Sequence, residues 1–357
     1  VSDEGRLAEL TLALVGIESV SRNEDEAVRF VRDRAAGIGF DLADDRDTCL
    51  WFVPARRRPE VPLVLFAGHL DTVPVAGNLP GRFEDGVIHG RGASDQKAGV
   101  AVMIALQQDI ASGWEPALDA AFLYFGREEI DESALTPCLA RHPDLAEDTA
   151  IAIVTEPTDN AIEAGCLGNL NARVSVEGVA AHSARPWLGS NAIHGGIAAL
   201  AAIADLPVRD VEIDGLTYRE VINVTTIAGG TAANVIPDRL EATINLRYAP
   251  THSPAEAEAR LRELLAASGA QIQVMSNAAG GPVAVSHPLV TRLRGAGAGD
   301  PRPKQAWTPV AEFGEAGVAA INCGPGDPAT AHRDDEHVTV EAIERGYRIA
   351  RRFLGDP

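Results

Sequence analysis

Val61-Pro62-Leu63-Val64-Leu65-Phe66-Ala67 runs directly into Gly68-His69-Leu70-Asp71. The run is apolar, carries β-branched residues and lacks polar alternation, so it reads as a strand buried on both faces. It ends on a histidine and an acid. Ala120 to Phe125 repeats the pattern and ends at Gly126-Arg127-Glu128-Glu129, and Ala150 to Val154 repeats it again and ends at Thr155-Glu156-Pro157. Between them, Val87-Ile88-His89 leads into Gly90-Arg91-Gly92-Ala93-Ser94-Asp95-Gln96-Lys97-Ala98-Gly99 and an apolar segment, Val100 to Leu106, that reads as a helix. Strands alternating with helices predict an α/β fold with a mostly parallel sheet flanked by helices. The carboxyl ends of parallel strands share one edge, where ligands bind. His69, Asp71, Asp95, Glu128, Glu129 and Glu156 are therefore expected to converge from distant parts of the chain.

Outward from this core, Leu7, Leu10, Leu14 and Ile17 recur at helical spacing. Ser21-Arg22-Asn23-Glu24 has the form of a capping box ahead of a second helix carrying Val28, Val31 and Ala35. The period changes near residue 170, where Asn171 to Val176 alternates like a half-exposed strand. A helix over Asn191 to Leu206, strands over Val221 to Ile227 and Leu240 to Leu246, a capped helix from Ser253-Pro254-Ala255-Glu256 and a strand over Gln271 to Met275 follow. Strand, helix, strand, strand, helix, strand is the ferredoxin-like α+β order. The α/β style then resumes, with a strand over Val318 to Asn322 and a closing helix over Ala342 to Phe353. The predicted organisation is a discontinuous catalytic domain, 1–169 and 282–357, with an inserted domain, 170–281.

The chain has 357 residues, long enough for two domains. Its formal charge of −20 argues against nucleic acid or an anionic membrane as a partner. Cys49, Cys138, Cys166 and Cys323 form no Cys-x-x-Cys pair, so buried free thiols are expected rather than a disulfide framework or thiolate zinc site. Val1-Ser2-Asp3-Glu4 has no apolar signal core and no run spans a bilayer, so the expected location is the cytoplasm.

Taken singly, each polar residue at the predicted edge has a plain alternative. His69 alone is a loop histidine, Asp71 a turn acid, Glu128-Glu129 a solvated strand end, Asp95 a helix cap and Glu156 part of a loop. Together they are clustered carboxylates that repel one another and raise each other's pKa. Divalent cations relieve that cost. Carboxylate and imidazole without thiolate suit Zn²⁺, Co²⁺ or Mn²⁺, and this many ligands suits a pair of ions about 3.5–4 Å apart. A phosphate cradle at Gly90 is disfavoured, because Lys97 is followed by Ala98 rather than Ser or Thr.

Gly68-His69-Leu70-Asp71-Thr72-Val73-Pro74, Gly90 to Lys97, Glu128-Glu129, Thr155-Glu156-Pro157, Ala181-His182-Ser183-Ala184-Arg185-Pro186, Gly229 to Pro237 and Ala331-His332 resemble the motifs of the M20 family of dinuclear zinc amidohydrolases. The resemblance spans nearly the whole chain. Within the family it looks most like the succinyl-diaminopimelate desuccinylases of the actinobacterial type. It implies that Asp95 bridges two ions, His69 and Glu156 complete one, and Glu129 and His332 the other. It implies that Asp71 orients His69, and that Glu128 is the general base and acid, taking a proton from water and delivering it to the leaving amine. It further implies a small-molecule acyl-amino acid substrate and a homodimer in which His182 reaches the partner's active site and polarises the amide oxygen. Asn234, Arg247, Arg185 and Thr308 match positions around the substrate, although a strand-face charge is an equal alternative for Arg247. Spacing does not separate His332 from His337; the motif match selects His332. His89, His142, His194, His252 and His287 have no such support.

Two departures bear on substrate. Trp307-Thr308-Pro309-Val310-Ala311-Glu312-Phe313 carries Pro309 and Glu312 where the family subgroup has an acid and an arginine. A negative Glu312 is expected to repel a dianionic substrate. Gln96 stands where a methionine is usual. The alternatives are another M20 deacylase or peptidase, or a dimer that binds metal or ligand without turnover.

Overall fold

The helix Ala98–Ala111 is buried on every face from Ala98 to Gln107. A helix apolar all round belongs inside a domain. The computed structural model describes residues 3–35, 37, 39–130 and 132–355, so Val1 and Ser2 of the N-terminal reading lie outside it. In it this helix packs on the sheet and is covered by the helices Asp3–Val15, Asp25–Ala35 and Val340–Leu354. Gly99 permits the close approach: a Cβ there would lie 2.4 Å from the Thr155 carbonyl oxygen.

The eight-stranded sheet runs Phe40–Asp44, Leu50–Pro54, Asp119–Phe125, Leu63–His69, Thr149–Pro157, Ala320–Gly324, Ala161–Ala164, Gly299–Pro303. The four central strands are parallel. Leu50–Pro54 and Ala161–Ala164 run antiparallel to their central neighbours. Leu63–His69 and Asp119–Phe125 are buried at every position, as continuous apolar runs in a covered parallel sheet should be. Sequence periodicity did not identify the Phe40–Asp44 and Leu50–Pro54 hairpin, or the short strands Ala161–Ala164 and Gly299–Pro303.

The Ser21–Glu24 capping box is corrected. Ser21 Oγ donates to Asp71 Oδ2 instead (2.7 Å), and the helix begins at Asp25. The later box forms as read: Ser253 accepts from Glu256 N, the Glu256 side chain returns to the cap, and Pro254 is the first helical residue.

The chain divides into two compact units. The first contains the residues up to Gly165, Pro282–Arg302 and the segment from Glu312 onward; the second contains Cys166–Gly281 and Pro303–Ala311. No change of hydrophobic period marks the Pro303–Ala311 return. The second unit holds an antiparallel sheet ordered Arg209–Ile213, Leu216–Gly229, Arg239–Tyr248, Gly168–Glu177, Gln271–Ala278. Its four long strands lie in the ferredoxin-like order, with Arg209–Ile213 added at one edge. Leu170, Ala172 and Val174 alternate inward and pack with Ala257, Leu261 and Leu265 of the helix Pro254–Leu265. No helix among the described residues is long and apolar enough to cross a membrane.

Candidate metal centre and active site

Parallel register sets the site. His69 is the last residue of its strand and pairs with Phe125, the last of the neighbouring one, so Glu128 and Glu129 emerge beside it. Glu156 lies near the end of the strand on the other side, Thr149–Pro157. Asp95 arrives on the Gly90–Lys97 turn. Gly92 takes φ 80°, and a Cβ there would lie 2.8 Å from Thr72 Cγ2, so glycine answers both the backbone angle and the space. Asp95 itself leaves helical geometry at φ −117°, ψ 94°.

These side chains meet. His69 Nε2 lies 3.1 Å from Asp95 Oδ1 and 3.8 Å from Glu156 Oε1. His332 Nε2 lies 3.0 Å from Glu129 Oε1 and 3.4 Å from Asp95 Oδ2. The two oxygens of Asp95 thus face different histidines. His69–Asp95–Glu156, Asp95–Glu129–His332 and His69–Glu128–Glu129 each bring one ligand atom per residue within 4.8 Å of the others. His337 is elsewhere: it pairs with His89 across a short ladder, with ring centroids 5.5 Å apart. The structure thus places His332, and not His337, beside Asp95 and Glu129.

Electrostatics says what the cluster lacks. Burial pushes the Glu128 carboxyl well above its usual pKa; nearby His69 opposes this, and Glu156, Glu129 and Asp95 add to it. Hydrogen bonds to Asp95 and Glu129 raise His332 to about 10. Burial would lower His69, but Asp71 and Asp95 outweigh it and raise the imidazole. Burial likewise works against the Asp95 anion, but His332 and His69 hold the carboxyl well below its usual value. Among the described residues the ion-pair partners of Asp95 and Glu129 are histidines only. The acids draw positive charge onto the very nitrogens that would ligate a cation. Imidazole and carboxylate around a shared Asp95, without thiolate, fit a pair of divalent ions.

Surrounding groups hold this arrangement. His69 Nδ1 donates to the Asp71 carbonyl (3.0 Å), with the Asp71 carboxylate at 3.5 Å, which leaves Nε2 facing Asp95. The Asp71 carboxylate accepts from Ser21 Oγ and from the amides of Glu128 (3.0 Å) and Glu129 (3.1 Å). One acid thereby positions three candidate site residues. Glu336, which no sequence pattern singles out, is 1% exposed. It accepts from Ser94 N, Asp95 N, Gly92 N and Arg91 Nη1, all at 3.0–3.1 Å. Lys97, also missed, is buried beneath the turn and donates to the Ile17 carbonyl. In the sequence Glu336 sits in a charge run that looks solvated.

The sequence profile of Peptidase family M20/M25/M40 matches residues 65–356. The chain belongs to this family. It is 43% identical over 354 residues to a putative succinyl-diaminopimelate desuccinylase of Mycobacterium tuberculosis, with 97% of each chain covered. It is 38% identical over 357 residues to the succinyl-diaminopimelate desuccinylase of Corynebacterium glutamicum, covering 97% of this chain and 95% of that one. A tripeptidase from Staphylococcus aureus has the same fold, with a TM-score of 0.78 at 18% identity, covering 99% and 98%. As an M20 chain it is a metal-dependent hydrolase of a linear amide.

The remaining expected residues lie in the second unit of this M20 chain. The short ladder Ala181–His182 with Val235–Ile236 brings His182, Arg185 and Asn234 together, through Arg185 N to the His182 carbonyl (2.8 Å) and Ser183 N to the Asn234 carbonyl (2.9 Å). Arg247 and Thr308 sit apart from these. Both neighbour Cys166, whose Sγ contacts the Thr308 carbonyl. Arg247 Nε donates to Asn245 Oδ1. The buried Thr308 hydroxyl has no hydrogen-bond partner among the described residues.

Glu312 is engaged by its own neighbours. Its carboxylate is 7% exposed and accepts from Ser133 Oγ, Thr136 N and Thr136 Oγ1 (2.6 Å). It serves the first turn of the helix Leu135–Arg141, where negative charge is favoured. These bonds hold the acid at position 312 against the start of that helix.

Proposed function

We propose that this enzyme hydrolyses N-succinyl-LL-2,6-diaminopimelate to succinate and LL-2,6-diaminopimelate, in lysine biosynthesis, as a cytoplasmic homodimer holding two Zn²⁺. The observation that carries the chemistry is Asp95, whose two oxygens face two separate ligand groups. The relatives named above support the substrate. Four buried free thiols suit a reducing compartment. Val179, Trp187, Leu188 and Ile227 of the second unit are exposed apolar side chains that a second copy would cover.

In this proposal His69, Asp95 and Glu156 would hold one ion, and Asp95, Glu129 and His332 the other. When bound, such ions polarise the scissile carbonyl and lower the pKa of water. Glu128 would act as the carboxylate, once bound cations offset the burial that raises its pKa; it would take a proton from the attacking water and, so protonated, deliver it to the leaving amine. Asp71 fixes the Glu128 backbone for that transfer. His182 Nδ1 accepts from Ala184 N, which leaves the proton on Nε2 as a donor to the amide oxygen of the partner's substrate. Arg247 directs its guanidinium at a substrate carboxylate, with Asn234, Arg185 and Thr308 as further polar contacts.

A substrate panel tests this. Succinate release from N-succinyl-LL-diaminopimelate should exceed acetate release from N-acetylornithine by about 10⁴-fold or more in kcat/KM, the scale set when buried polar groups lose their partner. Preferred release of acetate would replace the substrate and keep the reaction class.

A further inference from the structure

Gln96 occupies a place that the proposed reaction does not use. It is 0% exposed, yet both ends of its amide are engaged. Nε2 donates to Glu156 Oε1 at 2.6 Å, and Oε1 accepts from Thr155 Oγ1 at 3.0 Å. The reversed amide would set two acceptor oxygens at that short distance, so Glu156 fixes which way the amide points. The seat is shaped for it. A Cβ at Gly68 would lie 2.8 Å from Gln96 Oε1 and 3.0 Å from Thr155 Oγ1, so any side chain at position 68 would displace the amide.

The oxygen that receives this bond is also the Glu156 oxygen 3.8 Å from His69 Nε2. A carboxylate oxygen accepts in two directions, so one N–H orients it without exhausting it. A glutamate otherwise loses rotamer freedom when it ligates. Gln96 removes that freedom beforehand.

We infer that Gln96 is a positioning residue for Glu156, and that it sets the affinity of the ion held by His69, Asp95 and Glu156 without affecting the other. This rests on the dinuclear reading above. Partners behind ligating side chains typically contribute about 10–100-fold in metal affinity.

The test is titration of the metal-free protein with Zn²⁺ against a chromophoric chelator, for wild type, Gln96→Met and Thr155→Val. Met keeps the bulk and removes the donor. Val keeps the shape and releases the far end of the amide. Wild type should take up two ions per chain. Gln96→Met should weaken one step by about 10–100-fold and leave the other within about threefold. Thr155→Val should weaken the same step by less. The visible spectrum of the Co²⁺-loaded protein should change only for the affected ion. Both steps unchanged, or both weakened equally, in variants with native circular dichroism overturns the inference. Should Gln96→Met fail to fold, Thr155→Val decides alone, and an unchanged titration overturns it. Uptake of no ion by the wild type would instead overturn the dinuclear reading.

Discussion

Glu128 and Glu129 are adjacent in sequence but stand in different surroundings. Glu129 meets His332 at 3.0 Å, while Glu128 is governed by burial and by the acids around it. If Glu128 moves protons, Glu128→Gln should retain the metal content of the wild type and lower kcat by about 10²–10⁴-fold. Loss of one ion in that variant would make Glu128 a ligand, a role also compatible with its grouping with His69 and Glu129. Much at this scale was legible, because the acids and His69 stand where apolar runs stop. His332 was distinguished from His337 only by resemblance, since five residues of loop carry no periodicity. The partners of Glu312 were not legible, because sequence gives its charge but not Ser133 and Thr136, which arrive from far along the chain. Glu336 and Lys97 escaped for the same reason.

Elements show the same division. Continuous apolar strands announce themselves through their own composition. The Phe40–Asp44 strand, only partly buried, owes its place to pairing with Leu50–Pro54. Asp44 ties this hairpin to the helix Leu135–Arg141 and the residue after it, through Arg141 Nε (2.8 Å) and His142 Nε2 (2.7 Å), with Arg46 alongside. Burial would raise the Asp44 pKa, but Arg141, Arg46 and His142 lower it from 3.8 to about 2. A depressed folded-state pKa gives stability that is present above pH 3.8 and lost as pH falls through about 2. The contribution is about 2 kcal/mol. In urea unfolding, Asp44→Asn should therefore be less stable than wild type by about that amount at pH 7. The gap should narrow at pH 3 and below. A gap that does not change with pH would mean that Asp44 acts by packing rather than charge.

For the whole molecule, the second unit carries His182 on an exposed two-residue strand, and Trp187 nearby is 76% exposed. If two copies associate and His182 serves the partner's site, Glu128→Gln and His182→Ala homodimers should each be nearly silent. Mixed under conditions that exchange subunits, they should regain about a quarter of wild-type activity, because half of the pairs contain one intact site. Activity that stays flat in mixtures shown to contain heterodimers would place His182 in its own subunit's chemistry or outside the reaction. The inserted unit was legible in the sequence as a change of period near residue 170. The Pro303–Ala311 return was not, because that short segment joins the second unit by tertiary contact rather than by a pattern of its own.

The proposed chemistry requires two ions that share Asp95 and chain residues around them that release succinate from a succinylated amine. Metal-free protein titrated with Zn²⁺ while succinate release from N-succinyl-LL-diaminopimelate is followed tests it most directly. No release is expected before metal is added, followed by a plateau at two ions per chain. Release at the full rate from protein free of divalent ions, or no release with both sites filled, would contradict it.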